Sequence, residues 1–600
     1  MKKLFILLIA IGYSVSTLAQ QDKRLKGIEV ELNKILVTAK AAGFAVAVVE
    51  GDKIIYAKGF GYRDYENKIP VDANTLFAIG STTKAFTSAI LGQLRNEDKL
   101  SFDDSPRKFI PELKFFNDNM NNTIIIKDLM SHRTGLPRHD ASWYYFPNVS
   151  KDSLVSRLVY QEPFTGVRQK WYYNNFMFLT QGVIAERITG KSWEDNIKER
   201  FFNPLSMSRS NTSIAEMKTA SNAAIGYELK KDSIISKMVY YDISGMSPAG
   251  SINSSVNDLS NWMITWLNKG KFNGIEIIPA AYIEEAMSSQ MVVGAALPDK
   301  ENPDIHFANY GYGWALKSYK GHYRVSHGGN IDGFSADVTL FPSDNIGIVV
   351  LANQDGSAIP SMVKNTIADY LLKVKKTDHL KLFIESKEKA KKEEKEAKSK
   401  AEANKIDNTK PSHILQDYTG KYSNPGYGEF TITNVKDSLF VNFKLKKFYL
   451  KHAHYDIFEP FDVTEKGIDT TDTGELRFNF ITNESGDIAS VQTKVEPTIA
   501  PIEFKRKPNT IKVDKAVLAK YVGDYELGGM IAKVYIKSET NLFVFVAGQP
   551  EYELLATDQH KFSFKTLEGF KVEFVEEADK TISSLIFIQP NGKFTAKRKL

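Results

Sequence analysis

The sequence contains no cysteine, so disulfides contribute nothing to its stability. It has no run of about 20 apolar residues of the length that spans a bilayer. Its ten histidines show no metal-binding spacing such as His-x-x-x-His beside acids. Basic residues are spread along the chain and form no stripe of the kind that binds nucleic acid. We therefore expect no metal, no cofactor, no nucleic-acid partner and no transmembrane segment, and 600 residues supply ordinary cores.

The first residues have the pattern of an export signal. Met1-Lys2-Lys3 is a short positive region, Leu4 to Ile11 is apolar, and Thr17-Leu18-Ala19 resembles a small-residue cleavage site. No cysteine follows that site, so lipid attachment is not indicated. We predict a signal peptide over residues 1–19 and a mature protein in a bacterial periplasm or secreted, although such compartments permit the disulfides that this chain lacks.

A serine at the start of a predicted helix is the first candidate for chemistry. An apolar run ends in Gly80, a helical pattern begins at Ser81, and Lys84 lies three residues on, on the same side. Unpaired N–H groups and the positive dipole end at a helix N-terminus favour an oxyanion. The ammonium can lower the pKa of a neighbouring base or move its proton. Ser-x-x-Lys alone is a weak signal, because it recurs at Ser386 and Lys389 in a charged run.

Tyr173 and Asn175 form a Tyr-x-Asn pattern downstream of Ser81. A phenol beside Lys84 ionises more readily and can take the proton of Ser81. The Asn175 amide offers a donor and an acceptor to a substrate amide. The alternative, that these aromatic residues only fill a core, stays open from the pattern alone.

His327-Gly328-Gly329-Asn330 stands at the end of a predicted strand. The two glycines allow a substrate backbone to approach the strand edge closely. The Asn330 N–H would complete an oxyanion hole with the Ser81 N–H. A lone His-x-Gly is more often a turn, so this motif gains weight only beside the others.

Together, Ser81-x-x-Lys84, Tyr173-x-Asn175 and His327-x-Gly329 resemble, in this order, the serine β-lactamase and penicillin-binding-protein superfamily, in its class C-like branch. The resemblance covers about residues 25–376. It implies that Ser81 is the acylated nucleophile and that Lys84 and Tyr173 act as the base pair. It also implies that Asn175 and His327 shape the cleft.

Three further stretches belong to the same interpretation. Residues 124–137 and 248–251 resemble the family's loop beyond the nucleophile helix and its later turn near the cleft. His132, in the first of them, is expected to be structural. The aromatic cluster 143–146 is expected to be buried rather than to line the cleft.

One departure from the family pattern bears on the substrate. Class C β-lactamases have Lys-Thr-Gly where this chain has His327-Gly328-Gly329. A lysine and a threonine suit a substrate carboxylate, whereas a histidine with an ordinary pKa near 6.5 carries charge only in acid. We therefore expect weak recognition of the carboxylate of a penicillin or a C-terminal D-residue.

His-x-Gly followed by two barrels resembles the D-aminopeptidase arrangement, and several esterases share the His-x-Gly. We favour an exported serine hydrolase acting through an acyl-enzyme on D-amino-acid peptides, amides or esters, including cell-wall-derived peptides. The alternatives are a true β-lactamase or D-Ala-D-Ala carboxypeptidase and, from another class, a binding or assembly protein with a vestigial hydrolase.

The predicted fold class is α+β. Strand-like runs at both ends of the hydrolase region predict one sheet, mixed or antiparallel, assembled from distant segments. The resemblance implies an antiparallel sheet with helices on both faces plus a helical region, over residues 24–378. Residues 379–410 form a predicted charged helical linker, because 385–405 carry eight lysines and six glutamates.

The remainder of the chain is a duplication. Leu415, Tyr418, Gly420 and Tyr422 recur 103 residues later at Leu518, Tyr521, Gly523 and Tyr525. Each copy, 411–508 and 509–600, is long enough for one closed antiparallel, lipocalin-like barrel. The repeat marks Tyr422, which begins a second Tyr-x-Asn, as structural. The barrels are candidates for ligand binding, for covering the cleft or for a homo-oligomer, and the sequence does not choose.

Overall fold

A computed structural model describes most of the chain, in the ranges 22–294, 297–300, 303–304, 306–403, 406–464, 467–469, 476–537, 540–567 and 569–599. The predicted signal peptide lies outside the described residues. Two compact units are present. Of the described residues, the catalytic unit comprises those up to Leu136 together with those in Asn148–Leu158 and Thr165–Glu394. The barrel unit comprises the described residues in Pro137–Pro147, Val159–Phe164 and Lys395–Leu600. No helix in the described part of the chain is long and apolar enough to cross a membrane.

The catalytic unit is built on one nine-stranded antiparallel sheet. Its strands, in spatial order, are Met291–Val292, Ala308–Tyr310, Ala315–Tyr319, His322–Ile331, Phe334–Phe341, Ile346–Ala352, Gly43–Glu50, Lys53–Asp64 and Ile69–Pro70. Strands from the two ends of the unit therefore pair at the centre, where Val46 lies opposite Val350. The predicted assembly of the sheet from distant segments is confirmed.

Helices cover both faces of this sheet. Ile28–Ala39 and Ile359–Leu371 share one core with the strands beneath them, including Val46, Val48 and Val350. On the other face, Met263 of helix Val256–Leu267 lies against Gly347. The apolar strand Gly43–Glu50 is buried along almost its whole length because helices cover it on both sides.

A helical region supplies the rest of the catalytic unit. Its helices are Thr83–Asn96, Asp118–Thr123, Ile126–Met130, Lys151–Val155, Asn175–Thr189, Trp193–Ile197, Ile214–Thr219, Ser247–Gly250 and Ala280–Ala286. Thr83–Asn96 and Asn175–Thr189 are almost fully buried and pack against each other. The first of these helices carries Lys84 and follows the turn that holds Ser81, and the second begins with Asn175.

Two eight-stranded antiparallel barrels follow, as predicted. The strands of the first are Gly420–Asn424, Gly428–Asn434, Leu439–Asn442, Lys447–His454, Ile457–Thr464, Phe478–Thr482, Ile488–Thr493 and Ile502–Lys507, with Gly467–Asp469 added at one side. Those of the second are Gly523–Leu527, Met530–Lys537, Asn541–Val546, Tyr552–Asp558, Lys561–Phe564, Lys571–Glu576, Ile582–Gln589 and Gly592–Arg598, after helix Lys515–Tyr521.

The duplication extends to the contacts that hold the first strand of each barrel. In both copies a buried tyrosine and an arginine donate hydrogen bonds to carbonyl groups just ahead of that strand. The phenols of Tyr422 and Tyr525 donate to the carbonyls of Tyr418 and Tyr521, at 2.8 and 2.9 Å. The guanidinium groups of Arg506 and Arg598 donate to the carbonyls of Thr419 and Val522, both at 2.6 Å. Tyr422 and Tyr525, which the 103-residue repeat picks out, therefore each anchor the first strand of their own barrel.

A segment of the predicted hydrolase domain belongs instead to the core of the first barrel. Residues 137–147, which include helix Asp140–Tyr144, cluster with the barrels, although the sequence places them within 24–378. Phe146 is buried, with its ring centroid 5.4 Å from that of Phe443 and 5.8 Å from that of Phe504. Among the described residues, the core of the second barrel is formed by residues after 512.

The charged linker is a continuous helix, His379–Ala403. Its first turns are not a free spacer. Leu380 and Phe383 join the core beneath the catalytic sheet, and Lys387 and Lys391 form ion pairs with Asp232. An i,i+4 pair of lysines lies on one helix face, which allows a single carboxylate to contact both.

Candidate active site

Ser81 lies in a tight turn that leads into a buried helix. Gly80–Thr82 forms one 3-10 turn, and the regular helix Thr83–Asn96 begins just after it. Gly80 has φ +50°, in the left-handed region, and a Cβ there would approach the backbone nitrogen of Asn330 to 3.0 Å. Glycine therefore permits both this backbone conformation and the close approach of the two segments.

The strand that carries the His-Gly-Gly motif lies directly against this turn. A Cβ built on Gly329 would come within 2.0 Å of the Ile79 carbonyl oxygen and 3.1 Å of the Ser81 nitrogen. At Gly328, by contrast, the nearest heavy atom would be 3.7 Å away. Only the second glycine is required by packing, because its backbone contacts the segment that presents the nucleophile.

Beyond Ser326 this strand has an open edge. Among the described residues, Ala315–Tyr319 pairs with it only as far as Ser326, which lies opposite Ala315. A two-residue turn joins this strand to the neighbouring strand on each side. These turns fix the pairing register, and the register decides which N–H and C=O groups of the strand point toward which neighbour. The N–H and C=O groups of Gly328 and Asn330 therefore face the open edge. The Asn330 N–H lies there beside the Gly80–Ser81 segment, which fits the predicted oxyanion hole.

Lys84 is fully buried and is oriented by three acceptors. Its Nζ donates to Ser81 Oγ at 3.0 Å, to Asn175 Oδ1 at 2.8 Å and to the Ala249 carbonyl at 2.7 Å. These three acceptors are neutral. As a neutral amine, the same nitrogen can keep its bonds to Asn175 and Ala249 and direct its lone pair at the Ser81 hydroxyl.

Two elements far apart in sequence hold that lysine. Asn175 is the first residue of helix Asn175–Thr189, and the side chain of Asn174 accepts the Met177 N–H at its start. Ala249 belongs to the short helix Ser247–Gly250. The resemblance places that turn near the cleft but gives Ala249 no role, because a main-chain acceptor leaves no trace in the side-chain pattern.

The Tyr173 ring borders the same space. Its centroid lies 4.9 Å from Lys84 Nζ, and the His132 and His327 ring centroids lie 4.3 and 6.2 Å away from it. The structure thus brings together Ser81, Lys84 and the Tyr173 ring, three residues that the motifs single out. Tyr173 is partly exposed.

His132 is a structural neighbour of the site. It is buried, has φ +55°, and its Nδ1 accepts the backbone N–H of Asn174 at 3.2 Å. A backbone N–H can only donate, so the ring is neutral, with its proton on Nε2. This contact fixes the start of the helix that carries Asn175.

His327 does not present a titrating charge to the cleft, which corrects the expectation of an ordinary pKa. The side chain is buried, and burial together with the Lys84 ammonium lowers its pKa to about 3. Its Nε2 is 2.9 Å from the Tyr310 hydroxyl, and its Nδ1 is 2.6 Å from the Gly328 carbonyl oxygen. Since that carbonyl can only accept, Nδ1 carries the proton and the Tyr310 hydroxyl donates to Nε2.

Tyr310 is the side chain that sequence reasoning missed. It lies in a short strand, Ala308–Tyr310, is 2% exposed, and burial holds its pKa well above the usual value. Its phenol therefore remains a donor. The surrounding Tyr-Gly-Tyr-Gly-Trp sequence was the available signal, but nothing in its spacing points to His327.

No group of His, Asp or Glu side chains within the described ranges could hold a metal ion.

Comparison with known proteins identifies the family. The family model described as Beta-lactamase matches residues 26–370. The chain belongs to this family. A second model, a domain of unknown function named DUF3471, matches residues 404–506, which cover the first barrel. The β-lactamase and penicillin-binding-protein resemblance is thus confirmed at the level of family and fold.

Individual relatives are distant. Protein flp of Staphylococcus aureus (strain MW2) is 26% identical over 326 residues, which are 54% of this chain. The chain spans 62% of the length of that relative. The unguisins hydrolase ungD' of Aspergillus campestris is 28% identical over 65% of this chain and 74% of its own. The octameric penicillin-binding protein homologue from Pyrococcus abyssi shares the fold, with TM-score 0.53 and 20% identity over 80% of this chain and 99% of its own.

Proposed function

We propose that this protein is an exported serine hydrolase that works through an acyl-enzyme on amide, peptide or ester substrates, in particular those built on D-amino acids. The observation that carries the proposal is the 3.0 Å hydrogen bond between Lys84 Nζ and Ser81 Oγ, beside an open strand edge. A buried amine within hydrogen-bond reach of a partly exposed hydroxyl is the arrangement of an activated nucleophile.

The acylation step follows from these contacts. Ser81 Oγ attacks the substrate carbonyl carbon while its proton passes to the Lys84–Tyr173 pair. The carbonyl oxygen becomes an oxyanion, which the N–H groups of Ser81 and Asn330 stabilise. When the tetrahedral intermediate collapses, the bond to the leaving group breaks and the same pair returns the proton to it.

Deacylation reverses these roles. A water molecule gives its proton to the Lys84–Tyr173 pair and attacks the ester carbonyl of the acyl-enzyme. Ser81 Oγ leaves and regains the proton, which releases the carboxylic acid. Asn175 and Ala249 keep Lys84 aimed at Ser81 through both steps, since they accept its other two hydrogen bonds.

The site favours this reading over a β-lactamase or D-Ala-D-Ala carboxypeptidase. The position that holds a lysine in class C enzymes holds a buried, neutral His327, so no cation stands there to bind a carboxylate. Substrates with an uncharged group next to the scissile bond therefore suit the site better.

Acylation of Ser81 is the deciding experiment. A fluorophosphonate probe should label the full-length protein on Ser81 alone, and Ser81→Ala should abolish labelling. Ser88→Ala is the matched control, because Ser88 lies two turns along the same helix and donates to Gln181 in the core. Labelling that survives Ser81→Ala, or that maps to Ser386, would remove the proposal.

The substrate class is tested with D-aminoacyl amides, short esters, D-Ala-D-Ala peptides and nitrocefin. We expect turnover of the first two groups and little of the last two. If none of these substrates acylates the protein and the fluorophosphonate probe leaves Ser81 unlabelled, the binding or assembly alternative is favoured.

Export and assembly are part of the same proposal. Cleavage after Ala19 would be seen by N-terminal sequencing of protein recovered from outside the cytoplasm. Light scattering of the purified protein would show whether the chain forms a homo-oligomer.

A further inference from the structure

The pairing of His327 with Tyr310 has a consequence for the leaving group, and this inference rests on the proposed function. A substrate chain that gives its carbonyl oxygen to the Asn330 N–H pairs antiparallel to strand His322–Ile331. In that pairing the substrate residue also gives its N–H to the Asn330 carbonyl. Its chain then continues beyond the scissile bond toward Gly328.

Gly328 is the next main-chain partner on that side. Its N–H and C=O point to the same open edge as those of Asn330, two residues away. An extended leaving group would reach it with its second residue. The Gly328 carbonyl, however, already accepts from His327 Nδ1 at 2.6 Å, which also places the imidazole ring beside it.

The ring is held in this position from its other end. The Tyr310 hydroxyl contacts Nε2 at 2.9 Å, and both side chains are buried. Rotating the ring away from Gly328 would break its hydrogen bonds to the Gly328 carbonyl and to the Tyr310 hydroxyl. The buried Nε2 of His327 would then be an acceptor without a donor.

We propose that the Tyr310–His327 pair determines leaving-group specificity, restricting the site to short neutral leaving groups such as the ammonia of a primary amide or a small alcohol. His327 acts by occupying the Gly328 carbonyl. Tyr310 acts through His327 and is a positioning residue.

The test is a pair of substrates that share one D-aminoacyl group. One is the primary amide, and the other carries Gly-Gly-amide as an extended, uncharged leaving group, so the scissile bond is an amide in both. Wild type should favour the primary amide in kcat/KM. Tyr310→Phe and His327→Ala should each reduce that preference by about fivefold, the equivalent of one hydrogen bond of about 1 kcal/mol.

Two variants serve as matched controls. Tyr312→Phe removes the hydroxyl of another buried tyrosine of the same segment, which donates to Glu285, and should leave the preference unchanged. His327→Asn should retain most of it, because an asparagine amide can donate to the Gly328 carbonyl in place of Nδ1.

Proton-detected nitrogen spectra of the histidine rings give an independent reading. His327 should carry its proton on Nδ1 and show no titration between pH 5 and 8. A ring that titrates in this range, an unchanged substrate preference in His327→Ala, or an equal loss in Tyr312→Phe would each overturn the inference. If Ser81 is acylated but no leaving-group preference exists, only this inference fails. If Ser81 is never acylated, the proposed function fails as well.

Discussion

Gly329 and Ile79 are in such close contact that a methyl group on the glycine would lie 2.0 Å from the Ile79 carbonyl oxygen. This contact joins the strand that carries Asn330 to the turn that carries Ser81. The two N–H groups of the proposed oxyanion hole come from these two segments. The geometry of the hole therefore depends on a residue whose side chain is a hydrogen atom.

Gly329→Ala should accordingly abolish turnover. A Cβ so close to backbone must push the strand and the turn apart, and a shift of about 1 Å at a reacting centre can cost a hundredfold in rate. Gly328→Ala is the matched control, because nothing lies closer than 3.7 Å to a Cβ there. Comparable kcat values for the two variants would contradict the assigned packing.

Asn175→Asp should shift the pH dependence of kcat/KM. A carboxylate in place of the Asn175 amide oxygen, 2.8 Å from Lys84 Nζ, would favour the ammonium over the neutral amine. If neutral Lys84 takes part in proton removal, activity at neutral pH should fall and recover at higher pH. A profile with an unshifted acidic limb would show that the proton leaves Ser81 by another route.

Tyr173→Phe and Lys84→Ala should each remove most turnover, and their effects should not add in the double variant. Groups that act as one proton-transfer unit lose most of their value when either is missing. Additive losses, measured as kcat/KM with one amide substrate, would separate the two roles.

Short motifs in the sequence were enough to single out Ser81, Lys84, Tyr173 and Asn175. Ser81 lies in the turn just ahead of the helix that carries Lys84, and Tyr173 and Asn175 stand at the start of another helix. Each motif is therefore local in sequence, and the set of motifs resembles a known family. For His327 the sequence predicted an ordinary pKa, and that prediction was wrong. Its lowered pKa depends on burial and on the Lys84 ammonium, and its hydrogen bond to Tyr310 comes from a different strand.

In the fold, too, features with a local sequence pattern were predictable, and those that depend on contacts between distant segments were not. Strand-like runs at both ends of the hydrolase region predict the sheet, and the 103-residue repeat predicts both barrels. The position of 137–147 was not predictable, because the aromatic cluster 143–146 reads as buried without saying in which core. Its partners in the first barrel lie hundreds of residues away in sequence, beyond the reach of any local pattern.

His139 should make the barrel unit sensitive to acid. Burial lowers its pKa to about 4, whereas an unfolded histidine binds a proton below pH 6.5. The unfolded state therefore holds more protons between these values, and the free energy of unfolding should fall as pH falls from about 6.5 to 4, by on the order of 3 kcal/mol. The Glu496 carboxylate accepts the backbone N–H of His139, and burial raises the pKa of this carboxyl group. Its protonation therefore opposes the loss of stability in acid.

The measurement is hydrogen exchange of residues 137–147 in the full chain at pH 7 and pH 5. His139→Asn keeps a side chain that tolerates the φ of +50° at this position and removes the titration. It should flatten the pH dependence, whereas His452→Asn, at a partly exposed site of the same barrel, should not.

Phe146→Ala should destabilise the first barrel by about 3–5 kcal/mol, the usual cost of removing a buried phenylalanine ring. The ring packs among Phe430, Phe443 and Phe504. Phe116→Ala, at a 43% exposed phenylalanine, is the control. Equal melting temperatures for the two variants would mean that the barrel does not need this ring.

The position of residues 137–147 in the first barrel also determines when this segment can fold during synthesis. Tyr427 and Glu496, which contact His139, follow it by 288 and 357 residues. At about 5–20 residues per second, the ribosome delivers them roughly 15 to 70 seconds later. During that interval Phe146 has no core to enter, so the nascent chain carries an unburied aromatic segment in the middle of its catalytic region. Folding of this protein therefore cannot run strictly from the N-terminus, and a chain cut at the helical linker would never bury that segment.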